Sequence, residues 1–342
     1  MKNAKSGMAG LFFLLTWEFL NEYLPRQAGR SPATIASYRD SLSLFRRYLV
    51  EEQHASIAKF KFSDCNRDCV FGFRDYLRQN SCKPSTINVR VAAVRAYLFY
   101  AADKDVAVQS VALTIAEMPK CKTVQEEKPL LDMDALTAIL AAPPQTKIGL
   151  RDRTILITLY DSAMRLDELL SIKLGHLDLA GKEPCILLHG KGNKERRVAL
   201  TEKTGRQLKE YLRVFHPAPT WGAYLFFTTI KGETGRMSHG NVQRLINQYA
   251  DIARRICPDI PARVHPHMFR RTRATDLYRD GVALELVSVI LGHAQLETTK
   301  IYAIPSLEQL RTAAEAVPTP AADEKPLWIG NEDEMAHRCG LR

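Results

Sequence analysis

Residues 265–275 read His265-Pro-His267-Met-Phe-Arg270-Arg271-Thr-Arg-Ala-Thr275. They run into a helix expected near 268–280, which Gly281 is placed to end. Alone, the stretch says little. Alternating histidines with no carboxylate beside them are more often structural than metal ligands, and an arginine on a helix is usually a surface charge. Its neighbours change that reading. Upstream lie Ser162-Ala-Met-Arg165-Leu-Asp-Glu168 and His189-Gly-Lys191-Gly-Asn-Lys194-Glu-Arg196-Arg197. Downstream lie Leu291-Gly-His293 and Thr298-Thr-Lys-Ile-Tyr302.

Each island has a bland explanation by itself. The Gly-Lys-Gly-Asn-Lys-Glu-Arg run could be a charged hairpin tip, and it lacks the GxxxxGK[ST] spacing of a phosphate loop. Tyr302 could be a core residue. Together they supply what metal-free phosphodiester chemistry needs. Two arginines can clamp the non-bridging oxygens of a phosphate with forked donors and offset charge that grows in the transition state. A tyrosine can attack phosphorus and keep the bond energy in a covalent link. A lysine on a hairpin can protonate the leaving 5′-oxygen.

On these residues the second part of the chain resembles the tyrosine recombinase (phage integrase) family, in particular its Xer-like branch. Arg165 matches the first family arginine, with Glu168 as its acidic supporting neighbour. Lys191 matches the β-hairpin lysine, and His267 and Arg270 match the His-x-x-Arg pair. His293 matches the last His/Trp position, and Tyr302 the nucleophile. Two positions depart from the family: Phe269 stands where leucine is common, and Arg271 where histidine is common.

The resemblance implies a mainly α chain with a small β-sheet or hairpin in an α+β catalytic domain, and a two-domain C-clamp around duplex DNA. It implies a DNA strand-breaking and rejoining enzyme that needs no metal, ATP or other cofactor. A homo-tetramer on paired sites and accessory DNA-bending proteins come with it, as does a prokaryotic, nucleoid-associated cytoplasmic location. Lys194, Arg196 and Arg271 are expected DNA contacts. The biological role is open between chromosome dimer resolution, phage integration and transposition.

The rest of the chain fits this frame. Ser31-Pro32 reads as an N-cap followed by proline at the first helical position. Ile35, Tyr38, Leu42, Phe45 and Leu49 carry that helix to about residue 52. An amphipathic run covers Leu11–Leu24, a shorter helix Val70–Asn80, and another opens at Pro84. Arg90 and Arg95 lie on that last helix. The Lys83–Tyr97 stretch resembles the family's helical core-binding domain, which makes both arginines candidate DNA contacts. Residues 10–117 therefore form one domain, the polar 118–129 a linker, 130–316 the catalytic domain and 317–342 a loose tail. Within the catalytic domain, Asp132 caps a helix reaching Ala141, and Leu150–Tyr160 and Arg165–Ile172 are helical. Cys185–Leu188 and Arg197–Leu200 form a hairpin, and helices follow near 202–215, 239–256, 284–291 and 297–302.

Composition sets bounds. The 342 residues carry 48 Lys+Arg against 38 Asp+Glu, a net charge of +10 that favours a polyanionic partner. The excess is +7 over 1–125 and +5 over 126–316, so both domains are basic, while the tail is acidic at −2. Seven scattered cysteines with no CxxC pair argue against a disulfide framework or a zinc site. The apolar stretch Met8–Trp17 imitates a signal peptide, but Glu18 and Glu22 continue it as a helix face. No apolar run is long enough to span a membrane.

Three other functions compete. A type IB topoisomerase would share the same residues, but the helical first domain and Xer-like hairpin argue against it. A purely DNA-binding module would leave gaps in the constellation. A metal-dependent nuclease would need a carboxylate cluster that is not found.

Overall fold

Ser31 caps α1 (Pro32–Glu51): its side chain accepts from Thr34 N at 3.3 Å, and Pro32 sits in the first turn, where a missing N–H costs nothing. In the computed structural model, residues 10–123, 129–181, 183–189, 195–293, 296–300, 302, 305, 307–315 and 332–341 are described. The chain divides into two units, Met1–Glu127 and Lys128–Arg342.

In the first unit α1 packs with α2 (Arg67–Gln79), α3 (Pro84–Lys104) and α4 (Gln109–Ala116). The core is unusually aromatic. Phe12, Phe45 and Phe73 meet edge-on or tilted, and Tyr97 sits edge-on to Phe12 and Phe19. The fully buried Tyr97 hydroxyl donates to Phe12 O, which ties the N-terminal segment to α3. That segment is not the single regular helix its pattern suggests. It changes winding from a 3₁₀ turn at Phe12–Leu15, through Thr16–Glu18, to a π-helix at Phe19–Gln27. Pro25 lies inside the last part and has no N–H to donate, so the widened turn accommodates it, with Ala28 N reaching back to Tyr23 O at 2.8 Å.

The arginines of α3 make hydrogen bonds within the unit. Arg95 donates from Nε to Ile115 O at 3.0 Å and from Nη2 to Met118 O at 2.5 Å, closing the carbonyl end of α4. Two of its donors thus satisfy backbone carbonyls at a helix end. Arg90 donates from Nη1 to Ser41 Oγ at 3.2 Å, tying α3 to α1.

The second unit begins with α5 (Met133–Ala141), capped by Asp132, and α6 (Lys147–Asp161), capped by Thr146. α7 (Leu166–Leu170) follows. A three-stranded antiparallel sheet then runs in the order β1 (Leu177–Asp178), β2 (Cys185–His189), β3 (Glu195–Ala199), with Leu188 opposite Arg196. Lys191 and Lys194 lie outside the described residues. After α8 (Glu202–Phe215), β4 (Phe227–Ile230) and β5 (Glu233–Arg236) form a second hairpin that the sequence reading passes over. Its two-residue turn, Lys231-Gly232, has positive φ at both positions, the geometry that matches strand twist.

α9 (His239–Ala253) and α10 (Pro266–Arg279) complete the main core around Phe226, Ile246 and Phe269. Phe269 is fully buried there and fills the place where the family commonly has leucine. Gly281 follows α10 at φ +86°, as its position in sequence suggests. α11 (Leu284–Leu291), α12 (Glu297–Lys300) and α13 (Leu307–Glu315) come last in the catalytic region. Further on, Glu332–Arg338 forms α14, with acidic residues in its first turn and Arg338 in its last, as a helix dipole favours.

Candidate active site

The site grows from one left-handed residue. Ala163 closes α6 at φ +48°, a conformation costing a non-glycine residue about 1–2 kcal/mol. Its side chain is fully buried with Leu291, Val287 and Tyr302, and that packing holds the turn. The turn does two things. It aims the Ala163 carbonyl at Arg270, and it delivers Arg165 in extended conformation as the N-cap of α7. Glu168, three residues on, accepts from Arg165 N at 2.8 Å and from Arg165 Nη1 at 3.1 Å.

Arg270 is among the largest fully buried side chains of the chain. Its Nη1 donates to Ala163 O at 2.5 Å, and its Nη2 to Leu291 O at 2.7 Å and to His293 Nε2 at 3.0 Å. Burial, with Arg165 nearby, lowers its pKa to about 10, so it stays charged at neutral pH.

The contact with His293 fixes a tautomer. A guanidinium only donates, so His293 Nε2 carries no proton. The proton of the neutral ring is then on Nδ1, which donates to Thr299 Oγ1 at 2.8 Å. Burial first, then the charges of Arg270, Arg165 and Arg196 and the nearby His267, push the His293 pKa down to about 4. The DNA-free site therefore holds His293 neutral.

Tyr302 is 2% exposed. Its ring stacks on His293 at 5.9 Å, and its hydroxyl lies 3.5 Å from His267 Nε2. A cavity of about 400 Å³ opens beside the group, lined by Arg165, His239, His267 and Arg270 among others. A larger apolar cavity of about 700 Å³, between Leu177, Leu212 and Trp221, contains none of these groups. The chemistry, not the volume, marks the smaller one as the site.

The fold thus brings Arg165, Glu168, His267, Arg270, His293 and Tyr302 together. Two of the arginines expected as DNA contacts hydrogen-bond within the protein. Arg271 is buried and donates to Pro129 O. Arg196 turns inward and donates from Nη2 to Glu168 Oε2 at 2.8 Å. Three participants were not singled out from sequence: Ala163, Thr299 and His239. His239, which lines the cavity, and Arg236 both hydrogen-bond to Asp167. Thr299 sits inside a quoted motif, but only the fold shows what its hydroxyl touches. Among the described residues, no three His, Cys, Asp or Glu side chains gather where they could hold a metal ion, and no helix is long and apolar enough to cross a membrane.

Comparison with known proteins adds an independent line. Residues 129–308 match the phage integrase family, and residues 18–105 match the phage integrase N-terminal SAM-like domain. Tyrosine recombinase XerC of Staphylococcus haemolyticus (strain JCSC1435) is 29% identical over 293 residues, covering 86% of this chain and 93% of the relative. Tyrosine recombinase XerC of Staphylococcus aureus (strain MSSA476) is likewise 29% identical, covering 86% and 92%. Among solved structures, XerH site-specific recombinase bound to a palindromic difH substrate, in a post-cleavage complex, aligns with a TM-score of 0.68. It shares 21% identity over 84% of this chain and 80% of that one. The Tn1549 transposon integrase in complex with a circular intermediate DNA aligns with a TM-score of 0.67 and 13% identity, over 88% and 98%. Both similarities concern the fold.

Proposed function

The chain belongs to the phage integrase family, and we propose that it is a site-specific recombinase cutting and rejoining duplex DNA through a bond between Tyr302 and a 3′-phosphate. The observation that carries the reading is the grouping of Tyr302, His267, His293 and Arg270 within hydrogen-bonding or stacking distance of one another.

Arg165 and Arg270 hold the non-bridging oxygens of the scissile phosphate. The two forks match the planar, charged oxygens, and the buried setting of Arg270 strengthens its pull on developing charge. The Tyr302 hydroxyl attacks phosphorus. An O–P bond forms, the P–O bond to the 5′-oxygen breaks, and the tyrosine proton passes to His267 Nε2. Lys191 gives a proton to the leaving 5′-oxygen. Glu168 orients Arg165, and His293 adds to phosphate binding. The arriving phosphate anion opposes the neighbouring cations that, after burial, hold the His293 pKa down, so that pKa rises as DNA enters the site. A 5′-hydroxyl from a partner strand then reverses the sequence. One phosphoester is exchanged for another, so the cycle needs neither metal nor ATP.

Double-stranded DNA is the partner, held by both basic units and by residues including Lys194. Exchange between two duplexes calls for four copies on paired sites, with accessory DNA-bending proteins where the sites must be brought together. The setting we assign to it is a prokaryotic cytoplasm, next to the nucleoid, where such a DNA partner lies.

The test is a nicked suicide substrate that traps the covalent adduct, run in EDTA. Wild-type protein should form an adduct visible on a denaturing gel. Tyr302→Phe should form none while binding the DNA normally. A persistent adduct with Tyr302→Phe would falsify the assignment.

A further inference from the structure

We propose that Arg196 is a positioning residue: its guanidinium, seated between Glu168 and Gly292, fixes strands β2 and β3 to the segment carrying Arg165, a hold that the proposed role of Lys191 needs. The inference rests on the reading of Lys191 given above.

Arg196 stands on β3, next to the hairpin tip, opposite Leu188 on β2. Its side chain is 22% exposed, little for a charged residue on a short hairpin. Nη2 donates to Glu168 Oε2 at 2.8 Å. The same oxygen accepts from Arg165 N at 2.8 Å, while Oε1 accepts from Arg165 Nη1 at 3.1 Å. One carboxylate therefore ties the hairpin to the segment carrying Arg165.

The second contact is steric. Gly292, just before His293, lies at φ +64° and ends α11. A Cβ placed there would fall 1.4 Å from Arg196 Nη1 and 2.3 Å from its Cζ. The guanidinium fills the space that any other residue at 292 would need. Nη1 is buried there with no hydrogen-bond partner among the described residues. Burying a charged donor in this way is unfavourable, and a mere surface hairpin gains nothing from it. The strands' base is held by apolar packing, with Ile186, Leu188 and Val198 in the core. Arg196 supplies the polar tie near the tip. With Nη2 on Glu168 and Nη1 covered, its guanidinium is turned away from a DNA phosphate.

The test uses suicide substrates with a 5′-oxygen or a 5′-phosphorothiolate leaving group, since a thiolate leaves without a proton. Arg196→Met should slow cleavage of the oxygen substrate about 100-fold, the size of loss expected when a catalytic group is misplaced by an ångström. The thiolate should recover most of that loss, and DNA affinity should stay unchanged. Gly292→Ala, which displaces the guanidinium, should show the same thiolate-rescued loss. The double variant should be no slower than the slower single one. An equal loss with both leaving groups, or no loss, overturns the proposal.

Lys191→Ala run in parallel separates the two readings, because its failure to be rescued indicts Lys191 as the acid and not Arg196. Amide exchange then decides the Arg196 tie on its own. Backbone exchange in strands β2 (Cys185–His189) and β3 (Glu195–Ala199) should quicken in Arg196→Met and keep its wild-type rate in Lys191→Ala. Unchanged exchange in Arg196→Met overturns the proposal whatever the role of Lys191.

Discussion

Thr299→Val should slow DNA cleavage although Thr299 touches no substrate. The substitution keeps the shape of a fully buried side chain and removes only the hydroxyl. That hydroxyl receives the Nδ1 proton of His293 at 2.8 Å. Without it the donor is left unsatisfied in a closed site, which costs about 1–3 kcal/mol. The ring can escape this cost by turning or by moving its proton to Nε2. Either response breaks the contact of Nε2 with Arg270 and disturbs the stack on Tyr302. If the whole cost falls on the chemical step, cleavage slows by about 5- to 150-fold. Single-turnover cleavage of the suicide substrate at saturating protein measures this directly. Thr299→Ser keeps the acceptor and should cleave within a few-fold of wild type. Valine and wild-type rates within two-fold of each other, or serine as slow as valine, would refute the tautomer argument.

Other outcomes follow from the same contacts. Arg95→Met should destabilise the protein by about 2 kcal/mol, through the two carbonyls it abandons. It should leave the slope of log affinity against log salt unchanged, whereas loss of a phosphate contact would reduce that slope by about one. His293 has a folded-state pKa of about 4 against an ordinary 6.5. Below pH 6.5 the unfolded chain takes a proton that the folded chain refuses down to about pH 4, so stability falls across that window. Thermal melts should show a shallower fall with His293→Asn than with wild type. Deletion after Pro305 removes α13, whose Gln309 donates to the carbonyls of Tyr278 and Arg279 at the end of α10. Thermal melts should show a lower midpoint for the deletion than for wild type, while gel shifts show single-arm DNA binding intact.

Much of this was legible in the sequence for physical reasons that are local. Ser31-Pro32 and Asp132 carry their own helix starts, and the 3.6-residue spacing of α1 survives because its inner face is mostly apolar. The motifs spanning Arg165 to Tyr302 marked the candidate site because their chemistry converges only when taken together. What escaped is what depends on distant partners. Arg95, Arg196 and Arg271 look identical to surface charges in sequence, since their acceptors lie at residues 115, 168 and 129. The role of Thr299 is invisible until His293 is seen with its other nitrogen against Arg270. The winding of residues 12–27 answers to Pro25 and to the aromatic core more than to its own periodicity. The β4–β5 hairpin carried a signal in Phe226-Phe-Thr-Thr-Ile230 followed by Lys231-Gly232, a β-branched run before a turn, that could have been read.

The identity of the linked residue tests the central claim most directly. Wild-type protein is trapped on a suicide substrate, digested with trypsin and nuclease, and the nucleotide-bearing peptide is sequenced by mass spectrometry. The 3′-phosphate should be found on Tyr302, in the peptide spanning residues 301–311. A phosphotyrosyl bond at Tyr278 or any other residue, or a cleaved strand with no peptide attached, would contradict the account.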